Sequence, residues 1–289
     1  MLADVFPDRS VPGGAPFNVA RHLAAFGETP LMVSRLGDDA LGRRMLGDMK
    51  AWGMDTSAIQ IDPNLPTGQV RVHMEQTGHR FEILPRQAYD FIDQDAATLA
   101  LDSTRPGLFY FGTLSQRHQV SRQALAVLLR RSSAPRFLDI NLREPWYDED
   151  TLRFSLGHAD IVKLNDEELR ILADMFEADG TSEAQRAGAL VRMFDICRLI
   201  VTCGDRGAWQ LDEEGAVSRT PADTRPAIVD TVGAGDAFAA LCILGMTLDW
   251  PAATALQRAE RFAAAICEIR GAVPESREFY EPFLKEWKL

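Results

Sequence analysis

The chain has 289 residues, 46% of them apolar and 25% charged, proportions that exclude a fibrous repeat or wholesale disorder and suit one large α/β domain. A formal net charge of −11 excludes a protein whose main partner is a phosphate backbone, because such proteins present a basic face. The longest apolar run, Ala237 to Leu248, falls well short of the roughly 20 residues a membrane span needs, so neither nucleic acid nor membrane is an expected partner and the cytoplasm is the expected location.

The N-terminus shows no basic segment followed by an apolar stretch and cleavage site, and so no export signal. Met1-Leu2-Ala3-Asp4 enters the Pro/Gly-rich stretch Pro7 to Pro16 almost at once, where an α/β chain ordinarily first lays down a buried strand. Strand-like runs bounded by turn residues follow at Leu31–Ser34, Gly107–Gly112, Arg136–Ile140, Asp160–Leu164 and Arg198–Thr202. Helix-like segments separate them at Phe17–Phe26, Ala40–Trp52, Ser121–Arg131, Asn165–Glu177 and Ser182–Met193, with Ser121 and Asn165 as N-cap candidates. This alternation predicts a mostly parallel sheet covered by helices on both faces, a three-layer α/β/α arrangement.

Between Thr67 and Pro85 the period changes to two. Gly68 to Met74 alternates, Gln76-Thr77-Gly78-His79 supplies a turn, and Arg80 to Leu84 returns, which predicts a β-hairpin that could serve as a lid. The last third opens with strand-like Gly207–Leu211 and Ala216–Arg219 and ends in helical patterns around Ala234–Leu244 and Pro251–Ile269, with Pro251 in the first turn. The four cysteines, Cys197, Cys203, Cys242 and Cys267, show no C-x-x-C spacing and are expected to be buried free thiols.

The segment that carries most chemistry is Asp230-Thr231-Val232-Gly233-Ala234-Gly235-Asp236-Ala237-Phe238, which runs straight into a helical pattern. Glycines at a helix N-terminus let backbone N–H groups and the helix dipole converge on an anion such as a phosphoryl group. Asp236 beside that charge is either a helix cap or a base that accepts the proton of an attacking hydroxyl. Phe238 stands where the dinucleotide fingerprint needs a small residue, and no G-x-x-x-x-G-K-[ST] loop occurs. Asn165 and Glu168, three apart on a first helical turn, are either a cap with its acidic neighbour or a pair that holds magnesium through waters. Thr202-Cys203-Gly204-Asp205-Arg206-Gly207 is a tight turn after a buried strand, where a ligand at the carboxyl end of a parallel sheet would lie.

Asp230 to Phe238 resembles the C-terminal signature of the PfkB, or ribokinase-like, family of carbohydrate kinases. Gly13-Gly14-Ala15-Pro16-Phe17-Asn18-Val19-Ala20 with Leu23 and Gly27 is similar to its N-terminal signature, and Asp139-Ile140-Asn141-Leu142-Arg143 and Asn165-Asp166-Glu167-Glu168 match positions between them. The resemblance implies one ribokinase-like domain over residues 1–289, with a β lid near 67–86 and a contribution from 4–12. It implies ATP and Mg²⁺ as cofactors, Asp236 as catalytic base and Gly233, Ala234 and Gly235 as the anion hole. Asp4, Gly13, Gly14 and Asn18 would bind sugar hydroxyls, and Arg143, Asn165, Thr202, Gly204 and Gly207 the nucleotide. Asn165 and Glu168 would hold Mg²⁺ through water, and Asp230 and Val232 a potassium ion.

Met1-Leu-Ala-Asp4 looks like the end of the family's first segment, so the first central strand is expected to be missing, as in a truncated or mis-started chain. Phe111 to Arg117, Ser121-Arg122, Asp139 to Arg143 and Ala88-Tyr89-Asp90 look closest to bacterial fructokinase-like members, which makes fructose the first expected substrate. A nucleoside or sugar-acid kinase and a non-catalytic sugar- or nucleotide-binding descendant are the alternatives. Exposed hairpin edges give a homodimer through the lid as the expected assembly.

Overall fold

The computed structural model describes residues 1–7, 9–75, 78–212, 214–215, 217–220 and 228–289. In chain order these form β1 (Leu2–Val5), β2 (Ser10–Gly13), α1 (Ala15–Ala25), β3 (Ser34–Gly37), α2 (Ala40–Ala51), β4 (Ile59–Asp62), β5 (Gln69–Glu75), β6 (Gly78–Ile83), α3 (Gln94–Asp102), β7 (Phe109–Gly112) and α4 (Gln119–Arg131). There follow β8 (Arg136–Asp139), α5 (Glu149–Leu156), β9 (Ile161–Asn165), α6 (Asp166–Met175), α7 (Glu183–Phe194), β10 (Arg198–Thr202), β11 (Ala208–Asp212), β12 (Val217–Arg219), α8 (Ala234–Thr247), α9 (Ala252–Ile266) and α10 (Glu281–Trp287). Two compact units result. One comprises Met1–Arg105, His118–Leu128 and Ala272–Leu289, the other Pro106–Arg117 and Leu129–Gly271.

In the first unit β5 and β6 pair antiparallel as the hairpin expected from the period-two pattern, and β1 joins β5 in parallel, giving the order β2-β1-β5-β6. The turn assigned to Gln76 and Thr77 lies outside the described residues, as does Ala216. Within the N-terminal Pro/Gly-rich stretch, Val11 and Pro12 lie in a strand that the sequence pattern does not reveal. The Met1 amine donates to Ser34 Oγ at 3.2 Å, and burial lowers its pKa to about 5. Met1, Ala3, Phe17, Ala20, Met32, Leu36, Met45, Met49 and Met54 form one buried cluster.

Two expectations in this unit need correction, and one further strand was not expected at all. The strand near residue 31 begins at Ser34, where Ser34 and Leu36 are buried and Arg35 between them is not; Leu31 makes only an isolated bridge to Asp55. Ser121 lies inside α4 and does not cap it, and its hydroxyl accepts from Ile92 N and donates to Tyr89 O. The pair β3–β4, parallel over four residues, includes a strand that the pattern does not disclose.

The second unit holds a six-stranded sheet in the order β12-β11-β10-β9-β8-β7, parallel from β7 to β10 and antiparallel beyond. Ile161 to Leu164 and Leu199 to Val201 are buried without interruption, as parallel strands covered on both faces must be. The register aligns Asp139 with Gly112 and with Lys163, and Asn165 with Thr202; Gly112, Asp139, Asn165 and Thr202 each end their strand, at the carboxyl edge of the parallel sheet. Among the described strands, none from residues 1–105 enters this sheet.

Buried from Ala237 through Gly245, α8 is a core helix that packs on α9. Their approach is closest at Gly245, where a β-carbon would stand 2.7 Å from Ala255 Cβ. Pro251 is the N-cap of α9, one residue before the predicted first turn. Of the cysteines, Cys203 and Cys242 are buried, whereas Cys267 is half-buried and Cys197 is exposed, against expectation, because it lies at the turn that enters β10.

Candidate active site

The first turn of α8 is set by Gly233, whose φ of 82° puts the N-cap in the left-handed region open to glycine. Ala237 N then donates to Gly233 O at 2.8 Å, and the N–H groups ahead of it belong to the set that finds no acceptor within a helix. Of these, Ala234 N donates to Thr231 O at 3.3 Å; with the helix dipole the turn has the polarity that suits an anion, and the Asp236 carboxylate sits on the same turn. Gly235 is needed for another reason. A β-carbon there would lie 3.3 Å from the Nζ of Lys163, so the buried ammonium packs against the backbone of the turn and would have to give by a few tenths of an ångström.

Lys163 is absent from the sequence-based set of site residues. Its Nζ donates to Asp139 Oδ1 at 2.9 Å, and Tyr110 OH donates to the other oxygen, Oδ2, at 3.2 Å. The Lys163 and Asp139 side chains are 8% and 1% exposed, deep enough that removing either partner would strand the other's charge. Burial alone would lower the Lys163 pKa, but Asp139 outweighs it, helped by Glu168 and Asp236, and the pKa is raised. Burial, Asp139 and Asp236 push the Tyr110 hydroxyl far above its ordinary range, so it remains a donor.

Asn165 caps α6. Its Oδ1 accepts from Glu168 N at 2.7 Å and Glu168 Oε2 accepts from Asn165 N at 2.9 Å, a reciprocal capping box. Glu168 Oε1 also takes Leu142 N at 2.8 Å, which fastens α6 to the loop after β8. In that loop Asn141 adopts φ 42°, a left-handed conformation that asparagine tolerates. Both readings of the pair remain compatible, since each Glu168 oxygen keeps acceptor capacity beyond one N–H. Burial raises the Glu168 pKa, and a nearby cation would offset that penalty, so this all-oxygen pair fits a hydrated magnesium ion. Among the described residues no three His, Cys, Asp or Glu side chains gather as a closed metal site.

A cavity of about 210 Å³ adjoins the α8 turn, lined on one side by Thr202, Gly204, Gly207, Ala234 and Gly235. Gly204 and Gly207 have φ 55° and 80°, and Cys203 N closes the turn onto Gly207 O at 2.8 Å. The opposite wall is Glu260, Ala263, Ala264 and Cys267 of α9 and its C-cap, spaced 0, 3, 4 and 7 along one helical face. Sequence reasoning missed this wall, although small residues at helical spacing were the available signal. Arg143 is not among the residues lining the cavity; it is exposed and donates to Leu142 O. Asp230 accepts from Val232 N at 3.1 Å and from Gly271 N at 3.0 Å, bracing the loop before α8, while Val232 is 40% exposed.

In the first unit the structure brings together Asp4, Gly13, Gly14 and Asn18. Asp4 lies on β1, and a β-carbon on Gly13 would stand 3.3 Å from its Oδ2. Gly14 caps α1 with φ 92° and accepts from Asn18 N at 3.0 Å, while Asn18 is buried. Asp4 is thus held in a strand.

A family model described as pfkB family carbohydrate kinase matches residues 6–278. A fructokinase from Vibrio alginolyticus is 29% identical over 297 residues, covering 94% of this chain and 92% of that protein. A fructokinase from Xylella fastidiosa with bound ATP superposes with a TM-score of 0.84 at 21% identity, covering 100% of this chain and 97% of that one. A fructokinase from Vibrio cholerae O395, bound to fructose, ADP and calcium ion, gives 0.78 at 24% identity, covering 97% and 95%. The last two similarities speak for the fold.

Proposed function

The chain belongs to the pfkB family of carbohydrate kinases, and from that membership we propose that it transfers the γ-phosphoryl group of ATP to a primary hydroxyl of a small sugar, fructose being the first choice. The observation that carries this reading is the glycine-capped first turn of α8, which bears Asp236 and borders a cavity lined by Thr202, Gly204 and Gly207. An in-line transfer needs a positioned base and stabilisation of charge more than covalent chemistry.

In this mechanism Asp236 accepts the proton of the attacking hydroxyl. Backbone N–H groups of Gly233, Ala234 and Gly235 hold the phosphoryl oxygens, and the nucleotide lies along the turn from Thr202 to Gly207 and the small-residue face of α9. Asp4, Gly13, Gly14 and Asn18 provide the sugar-binding groups, Asp4 accepting from up to two hydroxyls. A magnesium ion, held through water by Asn165 and Glu168, would neutralise phosphate charge. Potassium at Asp230 and Val232 belongs to the same proposal, as does Arg143 near the nucleotide.

The β5–β6 hairpin is proposed as a lid. Its edge strand β6 carries Phe81, 52% exposed, which favours a homodimer through that strand. A cytoplasmic location accords with the reaction, since ATP is available there, and no helix among the described residues is long and apolar enough to cross a membrane.

The test is ADP formation with magnesium and potassium against fructose, other hexoses, ribose, ketodeoxygluconate and adenosine, with phosphorylated product identified by mass. Turnover of one sugar well above the rest supports the proposal. Preference for adenosine would make the chain a nucleoside kinase, and ATP binding without turnover of any member would contradict a sugar-kinase role.

A further inference from the structure

The buried cation that faces the α8 turn comes from outside the glycine signature. Lys163 lies mid-strand in β9, directly opposite Asp139 of β8, and its ammonium is 3.3 Å from where a β-carbon on Gly235 would stand. Tyr110 takes the other Asp139 oxygen, and the close approach to Gly235 turns the ammonium end of the pair to α8. Burying such a pair costs about as much as it returns, and two apolar residues of similar size serve stability as well or better. Its position, beneath the turn proposed to bind phosphoryl oxygens, gives it a use that stability does not.

We propose that Lys163 is a positioning residue of phosphoryl transfer, its buried positive charge acting through the first turn of α8 to hold that turn and to stabilise charge developing on the transferring group. The inference rests on the kinase reading. Charge in a water-poor interior acts at longer range than at a surface, and it is already oriented before reaction begins. The side chain need not touch substrate to contribute, because Gly235 leaves no atoms between ammonium and backbone.

The experiment compares wild type with Lys163→Met, Lys163→Arg and the double variant Asp139→Asn/Lys163→Met, measuring kcat, both KM values and thermal unfolding. Lys163→Met alone strands the Asp139 carboxylate and can unfold the protein; the double variant removes both charges and leaves a neutral amide oxygen to accept from Tyr110. The expected result is a double variant that melts close to wild type and keeps both KM values within about threefold, yet loses about a hundredfold in kcat. Lys163→Arg, which keeps the charge, recovers at least about a tenth of wild-type kcat. A folded double variant with kcat within about threefold of wild type overturns the proposal, as does loss explained wholly by KM or stability. Asp236→Asn in the same assay separates the two claims, since its retention of turnover would fault the proposed base without bearing on Lys163.

Discussion

The Asp4 carboxylate of β1 lies against Gly13 at the end of β2, so closely that a β-carbon on Gly13 would stand 3.3 Å from Oδ2. An added methyl there must push the carboxylate by a few tenths of an ångström. If Asp4 accepts sugar hydroxyls, Gly13→Ala should raise the sugar KM about tenfold, and Asp4→Ala about a hundredfold, since a hydrogen bond to a charged group contributes about 1.5–3 kcal/mol. The KM for ATP should not change. Steady-state kinetics with each substrate varied in turn checks this, and an unchanged sugar KM in Asp4→Ala would remove Asp4 from recognition.

Two glycines within α8 should respond differently to the same substitution. Gly235→Ala meets the flexible end of Lys163 at 3.3 Å and should leave the melting temperature nearly intact while lowering kcat at least about tenfold, given how steeply rate depends on placement. Gly245→Ala meets Ala255 Cβ at 2.7 Å and Trp250 at 3.2 Å and should cost about 1–3 kcal/mol of stability, with near-normal kcat in the folded fraction. Melting curves paired with kinetics distinguish the two.

Thiol labelling reads out the nucleotide cavity. Cys197 is exposed, Cys267 lines the cavity, Cys203 is buried, and burial pushes the Cys242 thiol up to about 12. An alkylating reagent should modify Cys197 first, Cys267 more slowly and Cys242 only after unfolding. Saturating ATP should slow Cys267 at least about fivefold without altering Cys197, as full occupancy of a shared cavity requires. Peptide mass mapping over time supplies the rates, and equal protection of both sites would speak against a local effect.

Stability should fall on the acid side through His22. The ring is fully buried with Nδ1 2.9 Å from Tyr280 OH, and burial above all lowers its pKa from 6.5 to about 3. The unfolded chain takes up the proton below pH 6.5 and the folded chain only near pH 3, so stability is complete above 6.5 and is lost as pH falls through that window. Between pH 6.5 and 5 the single group accounts for roughly 1.5 kcal/mol. Urea melts should show His22→Phe less stable at pH 7 but flatter with pH by about that amount; parallel pH curves would contradict the assignment.

The parallel strands and the capped helices were legible because their signals are local. Short apolar runs bounded by turn residues mark β8, β9 and β10, and Asn165 and Ser182 cap helices where a polar residue precedes a periodic segment. Strand β3 was displaced because Leu31-Met32-Val33 looks more strand-like than Ser34-Arg35-Leu36-Gly37, although the backbone pairing with β4 begins only at Ser34. The glycine signature pointed to the α8 turn for its backbone freedom, which holds for Gly233 but not for Gly235. Lys163 was invisible because a charge inside an apolar strand reads as an interruption until strand register sets it opposite Asp139.

The most direct measurement is turnover of fructose by Asp236→Asn beside wild type, with sugar and ATP binding followed by calorimetry on both proteins. The account predicts wild-type phosphorylation of the sugar, a loss of at least about a hundredfold in kcat for the variant, and little change in either affinity. A variant that phosphorylates fructose at close to the wild-type rate would contradict the assignment of Asp236 as the base.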